Sequence, residues 1–412
     1  MRVDDLAGKT VAIAASGGLD SCTITRWLVA HGVHVVSLTA DLGQPDEGDI
    51  GDAAERMRVS GASEAVIVDG REALVRAGLE VVQAQAFYEG GYWNTTGIAR
   101  YVTVACLLPE LTSRGIHVFA HGATGRGNDQ VRFQLATNML APTIEVYAPW
   151  RDPSFLDQFP GRREMIAYCE DEAIPIRATV DKPYSTDANL LGLTHEAGRL
   201  EDLNTPTEFV EPEMGVYPKD APRDGQQVTI RFEAGVPVSL DGEPLTLLEV
   251  FERANALAGV HGVGIGLHTV ENRFVGIKSR GVYEAPAMAL LGAAYEFLLQ
   301  LVLDRRARPL FDSMSAALGR QIYEGYWYDL ASSSLREAIA TYTRVVTGTV
   351  IVEVRGGHVQ FVGALDVPHS LYTDASSMEG IGEFDHVDSE GFLGVLGVSA
   401  RASRAAGQTS IE

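Results

Sequence analysis

The stretch Val11–Thr25, V-A-I-A-A-S-G-G-L-D-S-C-T-I-T, restricts the possible folds more than any other part of the chain. Thr10–Ala15 is an apolar run of strand length, Ser16-Gly17-Gly18 interrupts it, and Leu19–Ala30 places Leu19, Cys22, Ile24, Trp27 and Leu28 near helical spacing. A buried strand that turns through glycines into a helix makes an anion site. The glycines turn backbone N–H groups inward, and the first helical turn adds free donors and the positive end of a dipole. Phosphate is the natural guest. The loop lacks the Gly-Lys-Ser/Thr ending of a Walker A motif and the G-x-G-x-x-G of a dinucleotide loop. It carries an acid, Asp20, which would repel phosphates unless a divalent cation lay between, so the pattern points to Mg²⁺ shared with phosphate oxygens. The other reading of Asp20 is an acid that favours a helix N-terminus.

Strands and helices continue to alternate after this loop. Val33–Thr39 is β-rich and ends in Ala40-Asp41-Leu42-Gly43-Gln44-Pro45, and Ala65–Val68 and Ile116–Ala120 are further short strands. The alternation predicts an α/β fold with a doubly wound parallel sheet, whose ligands sit beyond the carboxyl ends of the strands, bringing Ala40 near a base or ribose. A helical stretch, Glu72–Phe87, runs into Glu89–Gly97, a loop dense in glycine, hydroxyls and aromatics. A second Gly-rich turn, His121–Phe133, holds three further glycines, the Asn128-Asp129 pair and a fixed cation, Arg132. A plain connector needs few of these, so both loops read as ligand-binding.

Past Trp150 the texture changes. Gln227–Leu240 alternates like a hairpin, Leu245–Leu257 is helical, and Thr347–Leu365 is a second hairpin with Gly356-Gly357 at its turn. This predicts an α+β domain, with the proline-rich turns of Pro206–Pro222 as internal loops. With 412 residues the chain exceeds a typical single core, and the expected division is 1–170, 171–375 and a C-terminal extension, 376–412. Ala289–Leu303 is apolar on nearly every face, so it must be buried in its own core or against another subunit. Ser399–Glu412 reads as a loose or partner-docked tail.

Composition narrows the partners. The chain has 33 basic and 55 acidic residues and a formal charge of −22, which repels nucleic acid and anionic membranes at long range. The N-terminus is acidic without an apolar signal region, and no run is long enough to span a bilayer. Cys22, Cys106 and Cys169 are far apart with no C-x-x-C pair, which suggests neither a zinc site nor a disulfide framework and fits a reducing cytoplasm.

S-G-G-L-D-S resembles the loop of the ATP-pyrophosphatase superfamily, whose members cleave ATP to AMP and pyrophosphate. Five more segments sharpen the likeness: H-G-A-T-G-R-G-N-D-Q-V-R-F (His121–Phe133), A-P-W-R (Ala148–Arg151), Y-S-T-D-A-N-L-L-G-L-T-H-E-A-G-R-L-E-D (Tyr184–Asp202), V-E-N-R-F-V-G-I-K-S-R-G-V-Y-E-A-P (Val270–Pro286) and G-Y-W (Gly325–Trp327). Together they resemble the argininosuccinate synthase family from about Val11 to about Tyr372.

The resemblance implies an adenine nucleotide α-hydrolase-like domain followed by a synthetase and multimerisation domain. It implies ligation of citrulline to aspartate through a citrullyl-adenylate, in arginine biosynthesis, by a cytoplasmic homotetramer. MgATP would be a substrate, with no prosthetic group, no dedicated metal side chains, and neither nucleic acid nor membrane as partner. By the family pattern Ala14, Ala15, Ser16, Gly17, Gly18, Leu19, Asp20, Ser21, Cys22, Ala40, Gly122 and Thr124 bind ATP. Thr124, Asn128 and Asp129 bind aspartate. Tyr92, Asn128, Arg132, Ser185, Thr194, Glu196, Glu271 and Tyr283 bind citrulline.

Single residues have plainer readings: Glu196 as a surface acid, Tyr283 as a core aromatic, Ser185 or Thr194 as a helix cap. His121 is expected near the nucleotide, His261 and His268 in structural roles. The chain also departs from the family. Ala15 stands where an aromatic is usual, Ser21-Cys22 where Thr-Ser is usual, Gly97 where some members have a citrulline-binding serine, and Arg126 where lysine is frequent. Gly262–Glu271 is one residue longer than usual. Two rival readings stay open at this point: another amidating or thiolating ATP-pyrophosphatase, and a non-catalytic nucleotide-binding regulator.

Overall fold

The computed structural model describes residues 1–46, 48–176, 184–272, 276–376 and 386–408. Five strands, β1 (Thr10–Ala14), β2 (His34–Asp41), β3 (Glu64–Asp69), β4 (Val118–His121) and β5 (Glu145–Tyr147), pair in parallel in the order β3-β2-β1-β4-β5. Among the described residues seven α-helices accompany them: α1 (Leu19–Ala30), α2 (Ile50–Val59), α3 (Arg71–Ala84), α4 (Thr95–Ser113), α5 (Asp129–Leu140), α6 (Pro153–Gln158) and α7 (Arg162–Asp171). The expected doubly wound sheet is therefore present. Strand order reverses between β1 and β4, and the register pairs Ala14 with His121. The loops that follow these two strands thus open side by side at the switch point of the sheet.

The second half is antiparallel. Its strands are β6 (Ser185–Asn189), β7 (Gly192–Glu196), β8 (Gln226–Glu233), β9 (Val236–Leu240), β10 (Glu243–Pro244), β11 (Ile265–Asn272), β12 (Ile277–Glu284), β13 (Gly348–Arg355) and β14 (His358–Leu365). They form a five-stranded sheet, β10-β9-β8-β13-β14, and a four-stranded one, β11-β12-β7-β6. Both expected hairpins lie in the first, and Gly356 and Gly357 close β13–β14 with φ of 52° and 84°, angles that favour glycine. The four-stranded sheet was not foreseen, because S-T-D-A-N and L-T-H-E lack an alternation of apolar and polar residues.

Helices α8 (Leu247–Val260) and α9 (Pro286–Val302) pack between the five-stranded sheet and α3, while α10 (Ala307–Glu324) and α11 (Leu330–Thr343) pack on each other and on α3. One continuous core includes Leu74 and Val82 of α3, Val228 and Val350 of the sheet and Leu290 of α9. Polar ties reinforce this seam: Gln83 Nε2 donates to Gly235 O at 3.0 Å, Gln85 Nε2 donates to Gly292 O at 3.1 Å, and Arg336 pairs with Glu80 at 2.5 Å.

Two readings of the second half narrow. The apolar helix α9 is enclosed by its own chain, with Leu290, Leu291, Ala294, Tyr295, Leu298 and Leu299 wholly buried between α8, α3 and the β13–β14 hairpin, so it carries no argument for a second subunit. The tail read as loose or partner-docked begins as helix: α12 (His386–Ala405) covers its first part, and 409–412 lie outside the described residues. Among the described residues no helix is long and apolar enough to cross a membrane.

Candidate functional site

The first loop is held from behind and open in front. Gly17 is buried with φ of 68°, and a Cβ there would lie 2.7 Å from the Ala53 Cα of α2, so the position admits glycine alone. Its carbonyl accepts from Arg56 Nε at 2.8 Å and from the Cys22 thiol at 3.5 Å. Ser21 Oγ donates to Gly18 O at 3.0 Å, and Ala15 N donates to Leu38 O at 3.0 Å. Carbonyls are thus turned into the protein, while Ser16 and Gly18 are exposed. Gly18 caps α1 without a side chain, which leaves the first-turn amides of Leu19, Asp20 and Ser21 for a guest. Cys22 fills the place of a hydroxyl residue by pointing inward, and burial pushes its thiol up to about 11, so it is a neutral brace.

Asp20 faces this opening. Trp150 Nε1 donates to Asp20 Oδ1 at 3.0 Å. Burial raises the carboxyl above its ordinary value, against the Trp150 bond and the charge of Arg162, which lower it. The second loop closes the other side. A Cβ on Gly122 would come within 3.4 Å of Asp20 Cβ, and one on Gly125 would reach 2.8 Å from Trp150 O. The second loop therefore lies close against Asp20 and Trp150 at the mouth. Ala40, next to last in β2, lies two residues past Leu38, the partner of Ala14 in β1, and its carbonyl accepts from Gln44 Nε2 at 3.0 Å. Thr124 is exposed on the second loop. His121 is wholly buried under that loop, its Nδ1 accepting from Ala123 N at 3.2 Å, and burial drops its pKa to about 3, so the ring is neutral.

At its far end the second loop enters α5, and there the remaining candidates gather. Asp129 accepts from Arg132 Nη1 at 2.7 Å on one oxygen and from Arg100 Nε at 2.9 Å on the other. Arg100 also pairs with Asp187. Arg132 Nε and Nη2 donate to Tyr323 O at 3.1 and 2.8 Å, and Asn128 Nδ2 donates to the Tyr323 hydroxyl at 3.1 Å. Burial pushes Asp129 up, but Arg100 and Arg132 outweigh it and hold the carboxyl below its ordinary value. The two arginines and Asp129 thus form an ion-paired frame in which Arg132 is buried and Arg100 and Asp129 are half-buried.

The four-stranded sheet supplies the facing wall. Its register sets Ser185 opposite Glu196, Asp187 opposite Thr194, and Thr194 opposite Tyr283, so alternation puts these five on one face. Helix α4 crosses that face: Thr96 Oγ1 lies 3.2 Å from Thr194 Oγ1, and Thr96 N donates to the Tyr92 hydroxyl at 3.0 Å. Tyr92 packs on Tyr283 at 4.7 Å, and Tyr88 stacks on Tyr323 at 3.7 Å. Glu196 opens onto the cleft, where burial and then the charges of Asp129 and Asp187 push its carboxyl up to about 7. Asp187 is pushed up to about 6, chiefly by burial.

Glu271 is the exception. In the strand register it stands opposite Lys278, its amide donates to Glu89 Oε2 at 2.7 Å, and alternation sets it on the opposite face from Val270, which joins the tyrosines. The structure does not bring it to the other candidates. His268, expected to be structural, packs on Tyr283 at 5.3 Å.

Sequence reasoning missed Arg56, Thr96, Arg100, Asp187 and Tyr323. Arg100 had a signal, since a charge inside the apolar run T-T-G-I-A-R-Y-V must find a partner. Gly97 also makes sense in place: a Cβ there would stand 3.4 Å from Arg132 Nε.

The family profile described as Arginosuccinate synthase N-terminal HUP domain matches residues 10–175, and that described as Arginosuccinate synthase C-terminal domain matches 184–403. The argininosuccinate synthase of Rhodopirellula baltica is 44% identical over 396 residues, covering 95% of this chain and 97% of that protein. That of Thermotoga maritima is 39% identical over 395 residues, covering 94% and 95%. Among solved structures, the U34-tRNA thiolase NcsA of Methanococcus maripaludis matches 42% of this chain and 59% of its own at 15% identity, with a TM-score of 0.27, too loose a superposition to bear on the fold.

Proposed function

The chain belongs to the argininosuccinate synthase family, and we propose that its two loops and facing sheet join citrulline to aspartate while ATP is cleaved to AMP and pyrophosphate. The enzyme is a ligase that forms a C–N bond. The ureido oxygen of citrulline attacks the α-phosphorus, and the bond from that phosphorus to the bridging oxygen breaks with loss of pyrophosphate. The aspartate amine then attacks the ureido carbon, the C–O bond to the phosphate breaks, AMP leaves, and the amine loses its proton. A urea oxygen is a poor leaving group until adenylated, so both steps depend on positioning and charge stabilisation.

The observation that carries this reading is the span of the second loop. Gly122 abuts Asp20 at one end, and Asn128 and Asp129 join the arginine frame at the other. A nucleotide on the first loop and an amino acid on the sheet face would therefore meet across one short segment. In this assignment Ala14–Cys22, Ala40, Gly122 and Thr124 surround ATP. Thr124 and Asn128 receive aspartate, with Asp129 shaping that end of the pocket. Tyr92, Ser185, Thr194, Glu196 and Tyr283 receive citrulline, Glu196 suiting its ammonium, with Arg132 as the charge behind them. In this reading a Mg²⁺ carried by the triphosphate meets Asp20, where it would offset the charge between that carboxylate and the phosphates. Release of pyrophosphate from ATP, measured with citrulline and aspartate singly and together, tests the reading: ADP as the main product, or turnover indifferent to citrulline, would refute it.

The family likeness also supports a homotetramer in the cytoplasm. The apolar residues of α12 support an assembly, since Phe392, Leu393, Val395 and Val398 are each 60–75% exposed and such a stripe seeks cover. The three free cysteines fit a reducing compartment. A stable single-chain mass in light scattering at micromolar concentration would overturn the assembly.

A further inference from the structure

We propose that Arg162 is a further ligand of the nucleotide, acting on its β- and γ-phosphates and on the departing pyrophosphate. The inference rests on the reaction assigned above. S-G-G-L-D-S supplies amides, hydroxyls and an acid but no cation, whereas phosphoryl sites usually add a lysine or arginine to such amides. The loop's buried arginine, Arg56, bonds the carbonyl of Gly17 and belongs to the scaffold.

Arg162 stands at the first position of α7, and α7 runs beside α1 in the same direction. Contacts between them ascend in step: the charge of Arg162 acts on Asp20, Thr23 Oγ1 lies 3.3 Å from Cys169 Sγ, and Arg26 Nη2 pairs with Glu172 Oε2 at 2.6 Å. The two helices thus present their N-termini to the same opening, and Gly161 caps α7 without a side chain. At that point Arg162 Nε is buried and has no hydrogen-bond acceptor. A buried guanidinium N–H without an acceptor is costly. Its charge reaches Asp20, yet the two side chains are neither hydrogen-bonded nor paired, so an acceptor that arrives with the substrate can lie between them. A triphosphate tail on the first loop is such an acceptor. The adenosine and α-phosphate, held by β2 and the second loop, are not.

The selectivity follows. Arg162 should matter for ATP and pyrophosphate but not for AMP. In full-length protein, Arg162→Gln and Arg162→Lys are compared with Arg163→Gln, an exposed neighbour, by titration calorimetry with ATP, pyrophosphate and AMP in the presence of Mg²⁺. Loss of a charge-assisted bond should weaken ATP and pyrophosphate by on the order of 10- to 100-fold in Arg162→Gln and leave AMP within about 2-fold. Arg162→Lys should fall between, and Arg163→Gln should match the parent. Equal weakening of all three ligands, or none, overturns the proposal. If Arg162→Gln does not fold, Arg162→Lys decides, because an unchanged ratio of ATP to AMP affinity in that variant overturns it equally. A parent enzyme that releases no pyrophosphate from ATP would refute the assigned reaction, whereas an active parent with an indifferent Arg162→Gln would refute only the role of this residue.

Discussion

Trp150 and Asp20 lie 130 positions apart and are joined by an indole hydrogen bond of 3.0 Å. Trp150 also backs the second loop, since its carbonyl leaves no room for a side chain at Gly125. One residue therefore sets both the acid of the first loop and the path of the second. Trp150→Phe removes the donor while keeping the aromatic packing against Phe155. A hydrogen bond to a charged group contributes about 1.5–3 kcal/mol, so the KM for ATP should rise by roughly 10-fold or more, with citrulline's KM little changed. Steady-state kinetics with each substrate varied in turn would check this.

Gly17→Ala should be more severe. The new methyl would sit 2.7 Å from the Ala53 Cα at a φ of 68°, so the loop or α2 must shift, and the carbonyl bonded by Arg56 shifts with it. The expected outcome is loss of measurable ATP binding in calorimetry with the far-ultraviolet circular dichroism unchanged.

Asp129 carries a different liability. Asp129→Ala removes the carboxylate shared by Arg100 and Arg132, whose side chains are only 22% and 5% exposed, and leaves Arg132 with no ion-pair partner among the described residues. Breaking a buried ion pair by removing one partner costs about 3–5 kcal/mol. The denaturant midpoint should therefore fall together with the use of both amino acids, while ATP binding persists. A variant as stable as the parent would show that the frame is not structural.

Glu196 gives a pH signature. Burial, with Asp129 and Asp187 adding to it and Arg100 and Arg132 opposing, pushes its carboxyl up to about 7. Only the ionised form holds an ammonium, so affinity for citrulline should increase as pH rises through about 7, seen as a falling KM. In Glu196→Gln the KM should be high and flat across the same range. A parallel slope in both proteins would place the titration on another group.

What the sequence revealed and what it hid divide along one line. The strand, loop and helix of Val11–Thr25 were legible because glycine, cap and apolar spacing act within a few residues. The hairpin at Gly356-Gly357 was legible for the same reason. The register that puts Ser185, Thr194, Glu196 and Tyr283 on one face depends on pairings among β6, β7 and β12, and the polar sequence of those strands gives no periodic signal. Glu271 shows the cost: a motif names the residue, but one position along a strand reverses its face. The Arg100 bonds to Asp129 and Asp187 were hidden too, since they join three elements that meet only in the folded chain.

The seam between α3 and the later helices bears on synthesis. Leu74, Val82 and their neighbours on α3 are covered by α8, α9, α10 and α11, none of which exists until more than half the polypeptide has been made. A nascent chain stalled before Leu247 holds its phosphate loop on a sheet whose outer helix has an uncovered apolar flank. The nucleotide half is therefore expected to stay collapsed and chaperone-dependent on the ribosome, and to reach its final stability only as the last hairpin, Gly348–Leu365, emerges.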